Sequence, residues 1–243
     1  MLEDKLHRRL YNHYVSTHTS HLYGEATIKG METHFPVWKW YYGRFLPRDK
    51  SAKILDAGCG NGGFLLWLQE MDYVNASGVD ISSQQVELAK RLGAKKVEEA
   101  DFLECLKDKK ELYDLIFARD AIEHFGKDEV YRATKTFYNA LKEGGCVVIY
   151  TPNAESPFGS RLRYGDLTHE VSFTKESLGQ MLRIVGFTEI TFYSTGPVPK
   201  GIKSAVRFLL WKVIETIVGF YMLVETGSSD GIYTQTIICA AKK

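Results

Sequence analysis

The chain has 243 residues, of which 44% are hydrophobic, 25% charged and 13% aromatic, with 31 basic against 30 acidic side chains and a formal net charge of +1. That length suffices for the core of one large domain, and the composition excludes a disordered chain. The charge balance excludes a global field that would gather nucleic acid.

At the N-terminus, MLEDKLHRRL carries no apolar signal core, so a cytoplasmic chain is expected. Residues 1–50 read as a helical cap (LEDKLHRRLYNHYVSTH, then FPVWKWYYGRF) ahead of one domain over 51–243. A helix would splay His7, His13, His18, His21 and His34 over different faces, which makes a solvated or lid helix and no metal site. Trp38, Trp40, Tyr41, Tyr42 and Phe45 suit docking of the cap onto a sheet, or stacking on a sugar or adenine. Cys59, Cys105, Cys146 and Cys239 stand far apart with no CxxC pair, against a zinc site or disulfide framework.

From Lys53 short apolar runs alternate with amphipathic stretches, the rhythm of an α/β sheet. AKILDAG (Ala52–Gly58) predicts a strand running into a glycine turn, and NGGFLLWLQEM the helix after it. NASGVD (Asn75–Asp80) predicts a second strand, followed by a helix capped by Ser82 with Gln85 and closed by Gly93. Further strands are expected at Lys95–Asp101, Tyr113–Asp120 and Gly145–Asn153, with helices over 127–142 and Lys175–Val185. Strands at Phe187–Ser194 and Gly231–Ala241 close the chain. The order predicts a mostly parallel sheet with an antiparallel edge.

The densest motif is ILDAGCGNGGF (Ile54–Phe64). Gly58, Gly60 and Gly63 satisfy G-x-G-x-x-G, and Asp80 follows at the distance of a dinucleotide fingerprint. Asp56 points elsewhere, because a carboxylate two residues before the first glycine repels a pyrophosphate and attracts an ammonium or sulfonium. S-Adenosylmethionine carries both cations and no phosphate. The D-x-G-C-G-x-G run after an apolar strand resembles the first motif of class I S-adenosylmethionine-dependent methyltransferases, over about Lys53–Gly186 plus the last strand.

That resemblance implies a Rossmann-like fold with strand order 3-2-1-4-5-7-6. It also implies that Asp56, Gly58, Cys59 and Gly60 surround the methionine part of the cofactor. Asp80, followed by Ile81, would hold the ribose hydroxyls, and Asp101 with Phe102 the adenine. Arg119 and Asp120 would face the methionine end. A nicotinamide oxidoreductase and a non-catalytic cofactor-binding module are the rival classes.

For the acceptor, DAIEH resembles the E-x-x-E-H pattern of ubiquinone-pathway O-methyltransferases, which implies a divalent cation such as Mg²⁺ on Asp120, Glu123 and His124, with Asp in place of the first Glu. The alternative is that Glu123 and His124 brace the next helix. TPNAESPFGSRLRYGDLTHEVSFT resembles the corresponding loop of methyltransferases from bacterial surface-polysaccharide gene clusters, which implies that His169 faces the acceptor. With an ordinary pKa near ~6.5, His169 is the first choice for a base and His124 the second. A sugar hydroxyl of a surface glycan or its activated precursor is the expected acceptor; the alternative is a small quinone, phenol or amine.

The insertion Thr195–Asp230 contains KGIKSAVRFLLWKVIETIVGFYML (Lys200–Leu223). At helical period Ala205, Val206, Leu209, Leu210, Val213, Ile217, Phe220 and Val224 fall on one side. The preferred reading is a buried helix covering the sheet edge or a homodimer contact. The other is a peripheral contact of 200–224 with the inner membrane face or a lipid-linked acceptor.

Overall fold

A computed structural model of the chain describes residues 9–11, 13–19 and 25–243. Seven strands form one sheet in the order β3-β2-β1-β4-β5-β7-β6. They are β1 (Ile54–Ala57), β2 (Ala76–Asp80), β3 (Val97–Glu99), β4 (Tyr113–Arg119), β5 (Leu141–Pro152), β6 (Thr188–Ser194) and β7 (Thr236–Lys242). Pairs from β3 through β5 are parallel, and β7 runs antiparallel to both neighbours, as expected. The helices are α1 (Ile28–Glu32), α2 (Phe35–Tyr42), α3 (Gly63–Glu70), α4 (Ser83–Arg91), α5 (Phe102–Leu106), α6 (Lys127–Ala140), α7 (Gly159–Arg163), α8 (Lys175–Val185) and α9 (Ile202–Thr226).

Successive side chains of the central strands alternate between two buried clusters, one on each face of the sheet. Leu55, Ile116 and Ile149 face Phe137 of α6 and Leu178 and Leu182 of α8. Ile54, Phe117 and Val148 face Tyr42 of α2, Phe64 and Trp67 of α3, and Val86 of α4. The aromatic run therefore docks the cap: Trp38 and Tyr42 meet the Phe64 ring edge-on at 5.5 and 5.2 Å. Trp40 of the same run stays half-exposed. His7, His21 and the side chain of His18 lie outside the described residues.

Several boundaries differ from expectation for local reasons. Lys142 does not continue α6, because Leu141 is already extended and starts β5. The last strand begins at Thr236 rather than Gly231. The Asn153 side-chain amide holds the preceding segment by donating to the carbonyls of Ile232 and Thr234, which takes it off the ladder. β3 is shorter than expected because Asp101 serves as the N-cap of α5, its Oδ1 accepting from the Leu103 N–H at 2.8 Å.

The insertion is the main correction. It is helical, but it is not buried against the sheet edge. Of α9 only Gly219 is buried, and no residue of α9 belongs to either core cluster among the described residues. The stripe that packs is Ala205, Phe208, Trp211, Glu215, Gly219 and Met222. The apolar side marked out by sequence, apart from half-buried Ala205, points to solvent.

The glycine turn also departs from its motif. Gly58, Gly60 and Gly62 adopt positive φ, and Gly63 does not. At Gly62, with φ of 75°, an added Cβ would meet Ala89 and Ala94 at 2.8 Å. Gly62→Ala should therefore lower stability by about 2–4 kcal/mol, from backbone strain and overpacking together. An unchanged urea midpoint would contradict this packing.

Candidate functional site

The parallel strands β1, β2 and β4 end along one edge of the sheet, where an open cavity of about 1060 Å³ begins. In α/β sheets this carboxyl edge is the usual ligand crevice. Every residue expected to hold a cofactor lines the cavity except Asp56: Gly58, Cys59, Gly60, Asp80, Ile81, Asp101, Phe102 and Arg119 all do so. Asp80 is bound to the glycine turn, its Oδ2 accepting from the Gly60 N–H at 2.8 Å and its Oδ1 from the Ser82 N–H at 2.9 Å. Those bonds orient the carboxylate while burial pushes its pKa up. Each oxygen retains a lone pair for a ligand hydroxyl.

Asp56 lies on β1 and is 1% exposed. Its register partner is Phe117, so Asp56 and Arg119, two residues further along β4, occupy the same face. Both Asp56 oxygens and Arg119 Nε are buried and lack a hydrogen-bond partner among the described residues. Burial pushes the Asp56 carboxyl up to about 7, against the downward pull of Arg119. The guanidinium stands over the Phe64 ring at 4.2 Å. A ligand carrying both a cation and a carboxylate suits such a pair, and the methionine part of S-adenosylmethionine has that charge pattern.

The other end of the cavity is acidic and aromatic. Asp120, Tyr11, Tyr14 and His124 line it. Asp120 holds a positive φ of 48°, a strained conformation for a residue with a side chain. Asp120 and Glu123 are both pushed up, chiefly by burial. Glu123 is fully buried and accepts from the Thr151 hydroxyl at 3.2 Å.

His124 is held by a relay that starts in the loop after β5. Asp166 Oδ1 accepts from the Thr168 N–H at 2.8 Å and from the Thr168 hydroxyl at 2.6 Å. Thr168 Oγ1 lies 2.9 Å from His124 Nδ1. With its single proton given to Asp166, the threonine oxygen accepts from Nδ1–H, leaving Nε2 as the basic nitrogen. Burial lowers the imidazole pKa to about 4, and the neighbouring His169 adds to the effect. His124 is neutral at physiological pH.

His169 stands edge-on to His124, with ring centroids 4.8 Å apart, and its Nδ1 lies 2.8 Å from the Leu162 carbonyl. Of the two histidines, His124 lines the cavity. Of the expected cation set, Glu123 and His124 come together, and the third member is His169 rather than Asp120; the three offer atoms within 4.8 Å of one another. Sequence reasoning missed Tyr11, Tyr14, Thr168 and Asp166. The D-x-T-H run contained two of them, but only its histidine stood out as chemistry. The Tyr14 hydroxyl donates to Asp166 Oδ2 at 2.7 Å, which ties the cap to that loop.

A family model described as a methyltransferase domain matches residues 35–191. Among curated proteins, phosphoethanolamine N-methyltransferase 3 of Arabidopsis thaliana is 33% identical over 150 residues, covering 57% of this chain and 29% of that protein. The Plasmodium falciparum phosphoethanolamine N-methyltransferase is 30% identical over 104 residues, covering 42% of this chain and 39% of that one. The chain thus spans under a third of the length of the plant relative. Among solved structures, an S-adenosylmethionine-dependent methyltransferase from Archaeoglobus fulgidus superposes with TM-score 0.65 at 22% identity, covering 88% of this chain and 94% of that one. Phosphoethanolamine N-methyltransferase 2 of Haemonchus contortus, bound to S-adenosylmethionine, gives 0.60 at 19% identity, covering 96% and 60%. These two likenesses establish the fold.

Asp80→Ala should weaken binding of S-adenosylmethionine by about 1–3 kcal/mol through lost charged hydrogen bonds; calorimetry giving wild-type affinity would contradict the ribose role. A bound cation stabilises the Asp56 carboxylate, so affinity should rise with pH through about 7. The rise should vanish in Asp56→Asn. A flat profile in the wild-type chain would remove Asp56 from the account.

Proposed function

The chain belongs to the methyltransferase-domain family, and from that premise we propose that it transfers a methyl group from S-adenosylmethionine to the nitrogen of a small amine. Bound S-adenosylmethionine supplies an already activated methyl carbon, so the chain's own residues have only to align the acceptor and manage one proton.

The observation that carries this reading is the pairing of acid with a neutral imidazole at the acceptor end. Asp120 and the Tyr11 and Tyr14 rings offer an anionic, aromatic surface that draws in an ammonium. Such a group has a pKa near ~10, so a fraction is already the free amine after losing its proton to solvent, and that fraction carries the attacking lone pair. His124 Nε2, fixed by Thr168 and Asp166, accepts a hydrogen bond from the amine and aligns that lone pair with the methyl carbon. An aliphatic hydroxyl resists deprotonation much as water does, with a pKa near ~15.7. An imidazole at about 4 is a poor base for it. That mismatch is why an amine is preferred here to the sugar hydroxyl expected from sequence. That the relatives are phosphoethanolamine N-methyltransferases supports the same choice.

A transfer assay with ethanolamine, phosphoethanolamine, other small amines and nucleotide sugars should place the methyl group on nitrogen. Label found only on sugar oxygen would overturn the proposal. His124→Asn should lower kcat about 10²-fold with S-adenosylmethionine affinity unchanged, and His169→Asn less; the reverse ranking returns the leading role to His169. The proposed alignment uses no cation, so EDTA should leave turnover intact. Loss restored by Mg²⁺ would instead make Glu123, His124 and His169 a cation site.

A further inference from the structure

The outward face of α9 has no counterpart in the chemistry above. The helix is 25 residues long and so about 37 Å in length. Along it Val206, Leu209, Val213, Ile217, Phe220 and Val224 form one continuous stripe, with Leu209 64%, Ile217 62%, Phe220 66% and Val224 71% exposed. An apolar surface of that extent marks a protein or membrane contact. Its inward side is already occupied: Trp211 packs on Gly196 and Gly219 on Tyr233. The stripe is therefore what remains after the helix has docked.

Charge selects the occupant. Between Glu189 and Glu215 the chain carries Lys200, Lys203, Arg207 and Lys212 and no acid. Lys212 pairs with Glu215 at 2.6 Å, whereas Lys203 and Arg207 have no carboxylate partner among the described residues. At helical period Lys203 and Arg207 fall on one flank of the apolar stripe, the place from which basic side chains of an interfacial helix reach lipid phosphate. The acids of α9, Glu215 and Glu225, stand in its C-terminal half, so a second copy packed on the N-terminal half would bring the same excess of cations to the contact, while an anionic bilayer supplies the opposite charge. No described helix is long and apolar enough to cross a membrane, so α9 would lie in the interface.

We infer that α9 is a peripheral docking surface for an anionic phospholipid bilayer. The helix enters the headgroup layer along Val206–Val224, and Lys203 and Arg207 contact lipid phosphate. This inference does not depend on which acceptor the cavity takes.

Co-sedimentation of the full chain with phosphatidylglycerol–phosphatidylcholine vesicles tests it. Binding is expected to fall with salt and to be much weaker on pure phosphatidylcholine. The double variant Lys203→Gln/Arg207→Gln should reduce partitioning on the order of 20- to 30-fold. Leu209→Asn/Ile217→Asn should reduce it more than about tenfold. Retained S-adenosylmethionine binding by each variant shows that the domain is intact. Absence from the pellet, partitioning unchanged in both variants, equal binding to phosphatidylcholine alone, or a dimer in sedimentation velocity that Leu209→Asn/Ile217→Asn dissolves would each overturn the inference.

Discussion

Two charges on one face of the sheet, buried Asp56 on β1 and half-buried Arg119 on β4, set the conditions for the cavity. Neither the Asp56 oxygens nor Arg119 Nε has a hydrogen bond among the described residues. A carboxylate taken out of water costs several kcal/mol unless a partner compensates. Here compensation comes from the guanidinium at a distance and, for the guanidinium, from the faces of Phe64, Trp38 and Tyr42. The aromatic cap therefore does more than cover the sheet. It covers one side of the guanidinium with aromatic rings while Asp56 stays buried beneath it, which keeps their field strong at the cavity.

The acceptor end follows the opposite logic. There a chain of side chains is bonded end to end: Asp166 accepts from the Tyr14 hydroxyl and twice from Thr168, and Thr168 in turn orients His124. A group whose partners leave it one tautomer is pre-organised, which is how an enzyme aligns a reactant without reorganising during the reaction. The contrast is between unpartnered atoms of Asp56 and Arg119 at one end and a bonded relay at the other, which under the proposed function divides cofactor attraction from acceptor alignment. The Tyr14–Asp166 bond joins the N-terminal segment to the loop after β5, and the Tyr11 ring meets His124 beside it.

Much of this was legible in the residues. Alternating apolar runs announced the α/β sheet, the Lys175–Val185 helix matched to the residue, and Asp56, Asp80 and Asp101 stood within two residues of strand ends because strand-to-loop transitions are marked locally by composition. The site was legible where it is built from such ends. It was not legible where it is built from contacts between distant segments. Tyr11 and Tyr14 reach His124 and Asp166 from more than a hundred residues away, and no spacing rule carries that information.

The sequence by itself determined the sheet, its turn and the charge pattern of the cofactor edge, because these follow from hydrophobic period, glycine and acid placement within short windows. Only the tertiary structure decided which histidine faces the cavity and which face of α9 is buried. Amphipathicity states that a helix has an apolar side, but which side packs depends on the shape of the surface it meets. Trp211 against Gly196 and Gly219 against Tyr233 fit that surface closely, and this fit turned the apolar stripe outward.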